Sequence, residues 1–199
     1  KYVMGTLAAV LAIGVAGPAS AQDDLAFESD VSAAIDDGLQ YLRDANVFTK
    51  AGVERARGLA LLALLEKRAG VAPDAAVLGY AGSRAADQAL AESAVSRLLS
   101  DTGNYGASQV RFYAYGVGEN LMALSLYANT GGPDVPNAQN RTVREAIDRM
   151  VDLTVAAQCR TKDYRDGFWG YFTCSDDSST TQFAVAGLAA ARGFYLGQG

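Results

Sequence analysis

Two cysteines have the clearest chemical role that the sequence suggests. Cys159 and Cys174 bracket a single loop, and two cysteines placed in this way in an exported protein are most simply a disulfide. The bridge would close a loop of about 15 residues and stabilise the fold by about 3 kcal/mol, because it restricts the unfolded chain. The alternative is a pair of free buried thiols. The export signal described below favours the disulfide.

Aromatic residues are concentrated in two segments that precede apolar helix-like stretches. Those with the strongest potential as ligand contacts are Tyr113, Tyr115, Phe168, Trp169 and Tyr171. If both segments are loops at one mouth of the fold, these rings would line a pocket for an apolar, glycan or peptide ligand. The alternative is that the rings fill gaps between helices. If these residues lie in loops, the interpretation as a ligand site stays possible, because binding residues are common in loops.

The absence of histidine excludes several reaction classes. None of the 199 residues is His, so Ser-His-Asp and Cys-His catalysis and His-metal chemistry are closed to the chain. We therefore predict no metal site and no cofactor. The formal net charge is -5, and the chain has no basic stripe that would track a phosphate backbone, so a nucleic-acid partner is also excluded.

The first 21 residues have the pattern of a secretory signal peptide. Lys1 precedes a mostly apolar run over residues 7–16, and Ala19-Ser20-Ala21 matches an A-x-A cleavage site. The run is shorter than the roughly 20 residues that span a bilayer, so we predict no transmembrane segment after cleavage. The remaining chain, 22–199, is expected in the periplasm or outside the cell. Because the sequence starts with Lys and stops directly after an apolar helix pattern, we expect it to be a fragment of a longer protein.

Three pairs of helix-like segments follow one another, over about 29–70, 84–132 and 141–195. The first member of each pair is amphipathic; in the first pair its apolar face carries Val31, Ile35, Leu39 and Leu42. The second member is apolar on nearly all sides, which predicts a helix buried on every face. This alternation predicts two layers of helices in an array of helical hairpins.

Small residues occupy matching places in the three apolar segments. They are 60 and 63 residues apart, at Ala63, Ala123 and Ala186. Side chains of this size let buried helices approach closely, so we expect these alanines at the contacts between neighbouring second members.

Residues 167–188 resemble the prenyltransferase and squalene-oxidase repeat. Gly167-Phe168-Trp169 supplies a G-x-W turn, and residues 176–181 supply an Asp/Ser/Thr-rich start to a small-residue helix. The repeat belongs to the terpenoid cyclase and protein prenyltransferase superfamily, so the resemblance implies an all-α fold, an α/α toroid present here as a partial or incomplete ring. In the cyclases a Gln stands close before G-x-W, whereas Gln158 is separated from Gly167 by a longer loop.

The same resemblance implies one enzymatic chemistry. Class II cyclases protonate an alkene with the third Asp of a D-x-D-D motif, which falls on Asp176, with Asp177 beside it and Cys174 in place of the first Asp. Adjacent carboxylates in an apolar cavity raise the pKa of one of them, as a general acid requires. The alternative is that both cap the following helix, whose first turn is rich in hydroxyl groups.

A shorter segment resembles the thioester motif of complement-type α/α toroids. It is Gly116-Val117-Gly118-Glu119-Asn120, with Val117 at the thiol position. No thioester forms without the thiol, so we interpret the segment as a bend that glycine permits before a buried helix. Because each catalytic motif of these families is broken, we predict an exported ligand- or protein-binding module. The alternative is a terpenoid (squalene-type) cyclase-like enzyme with Asp176 as its general acid.

Overall fold

The computed structural model describes residues 19–51, 54–72, 74–102, 107–171 and 174–197. These residues form six α-helices and no β-strand: α1 (Ala19–Asp44), α2 (Glu54–Leu65), α3 (Ala85–Thr102), α4 (Ala107–Asn129), α5 (Val143–Ala157) and α6 (Ser178–Gly197). The prediction of an all-α fold is confirmed. Most of the predicted signal peptide, residues 1–18, lies outside the described residues, and α1 begins within the predicted cleavage site.

Helix α4 is the centre of the packing. It contacts α2 on one side and α6 on the other, and α5 packs along it as well. The second members of the three pairs therefore adjoin one another in the order α2, α4, α6. Helix α3 packs on α2 and on α5, and α1 contacts α2.

Two glycines set the spacing of the α2, α4, α6 row. A Cβ at Gly58 would lie 2.3 Å from Oδ1 of Asn120, and a Cβ at Gly118 would lie 2.1 Å from the carbonyl oxygen of Phe183. In the alignment of the three alanines, Gly58 corresponds to Gly118 of α4, and Gly118 corresponds to Thr181 of α6. In both cases the contacted residue, Asn120 or Phe183, lies two positions after that counterpart. A glycine thus faces the next helix twice along the row. At Gly118 an added Cβ would meet backbone, which cannot move aside, whereas at Gly58 it would first meet the end of the Asn120 side chain.

The alanines do not make these contacts as predicted. Ala123 is fully buried, but Ala186 is half-buried and Ala63 is exposed. The prediction was wrong for Ala63 because hydrophobic periodicity shows which residues are small without showing which side of α2 meets α4. The close approach falls on the adjacent turn, at Gly58.

The second members are also not buried on every face. Leu59 of α2 is 39% exposed and Val185 of α6 is 52% exposed. Met122 of α4, which corresponds to Val185 in the alignment of the three alanines, is half-buried, whereas Glu119, which corresponds to Leu59, is buried. Helices α2 and α6 thus each leave an apolar residue exposed, and the prediction of complete burial was wrong for them.

The loop after α2 is fastened to the end of α4. The backbone N–H groups of Tyr80 and Ala81 donate to the hydroxyl and the carbonyl of Thr130, at 2.8 Å and 3.0 Å. Gly79 has a φ of +58° and lies directly against the Thr130 side chain, so a residue with a Cβ would be both strained and crowded there. The ring of Tyr80 meets that of Tyr127 edge-on, at a centroid distance of 5.1 Å.

Candidate functional site

Trp169 joins the end of α5 to the start of α6. Its Nε1 donates to the carbonyl oxygen of Thr154 at 2.7 Å, and its backbone N–H donates to the Thr181 hydroxyl at 3.0 Å. The Thr154 carbonyl belongs to the last turn of α5, where carbonyls lack helical partners. Only 4% of Trp169 is exposed. Phe168 is half-buried and Tyr171 is exposed, so Tyr171 is the most accessible of the three aromatic residues predicted here as ligand contacts.

Gln158 closes the G-x-W turn, although a long loop separates it from Gly167 in the sequence. Nε2 of Gln158 donates to the carbonyl oxygen of Gly167 at 2.8 Å. The backbone of Cys159 bonds to two successive residues of this turn: its N–H donates to the Phe168 carbonyl at 2.8 Å, and its carbonyl accepts from the Gly167 N–H at 3.0 Å. Gly167 has a φ of +85°, which favours glycine. The long loop therefore folds back so that its two ends meet.

The two cysteines are brought together by this loop. Cys159 is buried, Cys174 is half-buried, and the pair stands close to the separation of a disulfide. The covalent bond between them stays a prediction.

Asp177 is the cap of α6. Its Oδ1 accepts from the Thr180 N–H at 2.6 Å and from the Ser179 hydroxyl at 2.8 Å, as an N-cap residue does. The hydrogen bond from the Thr180 backbone lowers the pKa of Asp177, which favours the ionised form and is the reverse of what a general acid requires. The neighbouring Asp176 is exposed. For Asp177, the capping interpretation is confirmed.

Tyr113 and Tyr115 do not lie in a loop, and the glycine-rich segment after them is not a bend. All of residues 107–129 are helical, so these two expectations were wrong. Packing explains the difference, because the contact of Gly118 with α6 offsets the low helix propensity of glycine. The Tyr115 ring stacks on Phe183 of α6 with centroids 3.9 Å apart and planes inclined by 39°.

Glu119 is the functional candidate that the sequence did not single out. It is the only acidic residue of α4, it is 1% exposed, and its Oε2 has no hydrogen-bond partner in the described part of the chain. Burial raises its pKa to about 7. On the helix it stands one turn after Tyr115 and one turn before Met122, and it is buried where its counterparts Leu59 of α2 and Gln182 of α6 are exposed. The sequence signal that could have identified Glu119 is a single acidic residue within a largely apolar helix.

A groove lies between α1 and the end of α2, with a volume of about 430 Å³. Its walls carry Val31 and Ile35 of α1 with Ala63 and Val71, and its other lining residues are Glu28, Ser32, Glu66, Lys67, Arg68 and Gly70. Leu39 is buried as the amphipathic pattern predicts, but Val31 and Ile35 are exposed, Ile35 by 47%. The prediction for these two was wrong because no described helix covers the first half of α1.

Neither a metal centre nor a membrane span is found in the described residues. No group of three or more His, Cys, Asp or Glu side chains there is placed to hold a metal ion. None of the described helices combines the length and apolar character needed to cross a membrane. Comparison with protein-family models, curated proteins and solved structures finds no match. The resemblance of residues 167–188 to the prenyltransferase repeat therefore stays a hypothesis.

Proposed function

We propose that this protein is an exported, non-catalytic binding module that holds an amphipathic helix of a peptide or protein partner in the groove between α1 and α2. The observation that carries the proposal is the exposed apolar stripe of Phe27, Val31 and Ile35 along α1. Phe27 is 65% exposed, and the three residues are spaced by four, so they share one face of the helix. Contiguous exposed apolar surface of this kind marks interaction sites.

The charges around the groove support a partner of a defined type. Glu28 and Glu66 supply negative charge at its rim, and Lys67 and Arg68 supply positive charge. Lys67 is paired with Asp36, so the two acidic residues of the rim, Glu28 and Glu66, outnumber its remaining basic residue, Arg68. A partner helix with apolar residues at i, i+4 and i+7 and with basic residues beside them fits this rim.

An α/α toroid in the form of an incomplete ring is part of the same proposal. It is supported by the α2, α4, α6 row, by the repeated contact of Gly58 and Gly118 with the next helix, and by the bond from Gln158 to the G-x-W turn. A binding role is favoured over a cyclase because Asp177 caps α6 and Asp176 is exposed. Export, with cleavage after Ala21, and the Cys159–Cys174 disulfide complete the proposal.

A displayed library of amphipathic helical peptides tests the function. Peptides selected on the wild-type protein are expected to bind Ile35→Asp at least about tenfold more weakly, because the new carboxylate is buried unpaired against their apolar face. Tyr41→Ser is the matched control, since Tyr41 is an exposed residue of α1 that does not line the groove. Failure to enrich any peptide, or equal binding to Ile35→Asp, would contradict the proposal.

A further inference from the structure

The first member of each later hairpin packs mainly on the second member of the hairpin before it. Helix α3 lies chiefly against α2 rather than against α4, and α5 lies chiefly against α4 rather than against α6. In the described part of the chain, no first member covers α6 in this way. Helix α1, itself a first member, contacts only α2 among the described helices. Each end of the array therefore lacks a contact that is made twice inside it.

One side of α6 is exposed along much of the helix. Val185 is 52% exposed and Leu196 is 68% exposed, and Ala189 and Arg192 between them are exposed as well. The four residues are spaced by four, three and four, so they share one face of the helix. Three of them are apolar, which gives α6 an uncovered apolar stripe with one basic residue in it.

The corresponding position is better covered in the other two helices of the row. In the alignment of the three alanines, Val185 corresponds to Leu62 of α2 and to Met122 of α4. Both of these are half-buried, and Leu62 packs against the buried core. Helix α6 therefore lacks a cover that its counterparts have at this position.

The charges at the two ends of the array are complementary. Arg192 is the only charged residue of α6, and it makes no ion pair with the described residues. Glu28 and Glu66 line the groove between α1 and α2, and of the two basic residues there, Lys67 is already paired with Asp36. Apolar surfaces with opposite charges beside them fit each other and exclude partners of the wrong charge.

We infer that the helix held in the groove between α1 and α2 is α6 of a second copy of this chain, so that copies join head to tail. The apolar stripe of α6 packs on Val31 and Ile35 of the next copy, and Arg192 lies at the acidic rim. Helices α1 and α6 make no contact within one chain, so the contact is made between copies. The inference rests on the proposed function, because it names the partner of the same groove.

The dimensions and the symmetry of the two surfaces agree with this assembly. At about 1.5 Å per residue, the stripe of α6 from Val185 to Leu196 is about 17 Å long, and the stripe of α1 from Phe27 to Ile35 is about 12 Å long. The two surfaces differ from each other, so the interface is heterologous, and each copy keeps one free surface for a further copy.

Sedimentation velocity of the exported protein over a range of concentrations tests the interface. We expect the wild type to form oligomers that grow with concentration. Ile35→Asp and Leu196→Asp should each weaken self-association at least about tenfold, because each places an unpaired carboxylate against apolar surface. Tyr41→Asp is the matched control, since it adds the same charge at an exposed residue of α1 outside the groove, and it should associate as the wild type does. Circular dichroism verifies that each variant is folded.

A mixture of the two defective variants distinguishes head-to-tail assembly from other kinds. Ile35→Asp keeps an intact α6 and Leu196→Asp keeps an intact groove, so together they should form a dimer with one copy of each. This dimer should not extend further, because both of its free surfaces carry the new carboxylate. In an assembly of α6 against α6, Ile35→Asp alone would still associate and the mixture would gain nothing.

A monomeric wild type, self-association that Ile35→Asp leaves intact, or a mixture that stays monomeric overturns the inference. The peptide selection described above separates this failure from a failure of the proposed function. A monomeric protein that still selects helical peptides in its groove keeps the proposed function and loses a second copy as the partner. A monomeric protein that selects none loses both.

Discussion

Gly118 of α4 lies directly against the backbone of Phe183 in α6, so that a Cβ on Gly118 would stand 2.1 Å from the Phe183 carbonyl oxygen. The contact is reciprocal, because a Cβ on Gly187 would stand 2.8 Å from the Cα of Gly118. Two helices that are far apart in the sequence thus approach through glycines at their crossing. Backbone cannot rotate away as a flexible side chain can, so this crossing tolerates no added atom.

Replacing Gly118 by Ala should destabilise the protein by about 3 kcal/mol, because α4 and α6 must separate to admit one methyl group. Gly116→Ala is the control: it lies in the same helix, and a Cβ there meets nothing within 4 Å. That variant should be more stable than the wild type by about 0.5 to 1 kcal/mol, since alanine favours the helix. Urea denaturation measures both. Equal stabilities for the two variants would mean that the helices do not cross at Gly118.

Glu119→Gln should remove a pH dependence of stability. The pKa of Glu119 rises from 4.5 to about 7 on folding, so the folded protein holds a proton that the unfolded chain releases. This contribution is fully present below pH 4.5 and is lost as the pH rises through about 7, with a total of at most about 3 kcal/mol. Urea denaturation at several pH values should show the decline for the wild type and for the control Asp152→Asn, which removes one exposed negative charge from α5, and should not show it for Glu119→Gln. A decline that persists in Glu119→Gln would assign it to other groups.

Asp177→Ala should cost about 1 kcal/mol, because it removes the acceptor that caps α6. The adjacent, exposed Asp176 is the control, and Asp176→Ala should change stability by less than about 0.5 kcal/mol. Since the pKa of Asp177 is lowered from 3.8, the stabilisation by its carboxylate is present at neutral pH and is lost as the pH falls below that value. Thermal denaturation at neutral and acid pH measures the difference. A larger loss for Asp176→Ala than for Asp177→Ala would refute the assignment of the cap.

Trp169→Phe should destabilise the protein by about 1 to 2 kcal/mol, because the Thr154 carbonyl loses its donor inside the fold. Tyr164→Phe provides the comparison from the same loop, since Tyr164 is 74% exposed and its hydroxyl faces solvent. That change should leave the stability within about 0.5 kcal/mol of the wild type. Denaturation curves for the two variants that coincide would show that the Trp169 bond contributes nothing.

The Cys159–Cys174 bridge predicts that the exported protein, denatured without reductant, contains no titratable thiol. Reduction should lower its stability by about 3 kcal/mol, in accordance with a closed loop of about 15 residues. The control is the same protein denatured with reductant, which should release two thiols. Two thiols in the unreduced sample would leave the cysteines as a buried pair without a bond.

Hydrophobic patterning was enough to predict the helices, because periodicity is a local property of the chain. The exposure of Val31 and Ile35 was not predictable in this way, since the pattern shows which face of α1 is apolar and says nothing of whether another helix covers it. Gly116 and Gly118 were misplaced for a related reason: intrinsic propensity favours a bend, and a distant contact with α6 decides for the helix. The cap at Asp177 was within reach because capping depends on neighbours in the sequence. The burial of Glu119 was not predictable, because it depends on tertiary packing and not on its neighbours in the sequence.

The central position of α4 has a consequence for the order in which the protein is completed. A chain synthesised from its N-terminus presents α4 before α5 and α6 exist, although these are two of the helices that cover it. The surface around Gly118 and Leu121 is therefore covered only after the α5–α6 hairpin has been synthesised. Long-range contacts of this kind slow folding and leave partly made chains prone to aggregate. Nascent chains that stop short of α6 would thus be the natural clients of a chaperone.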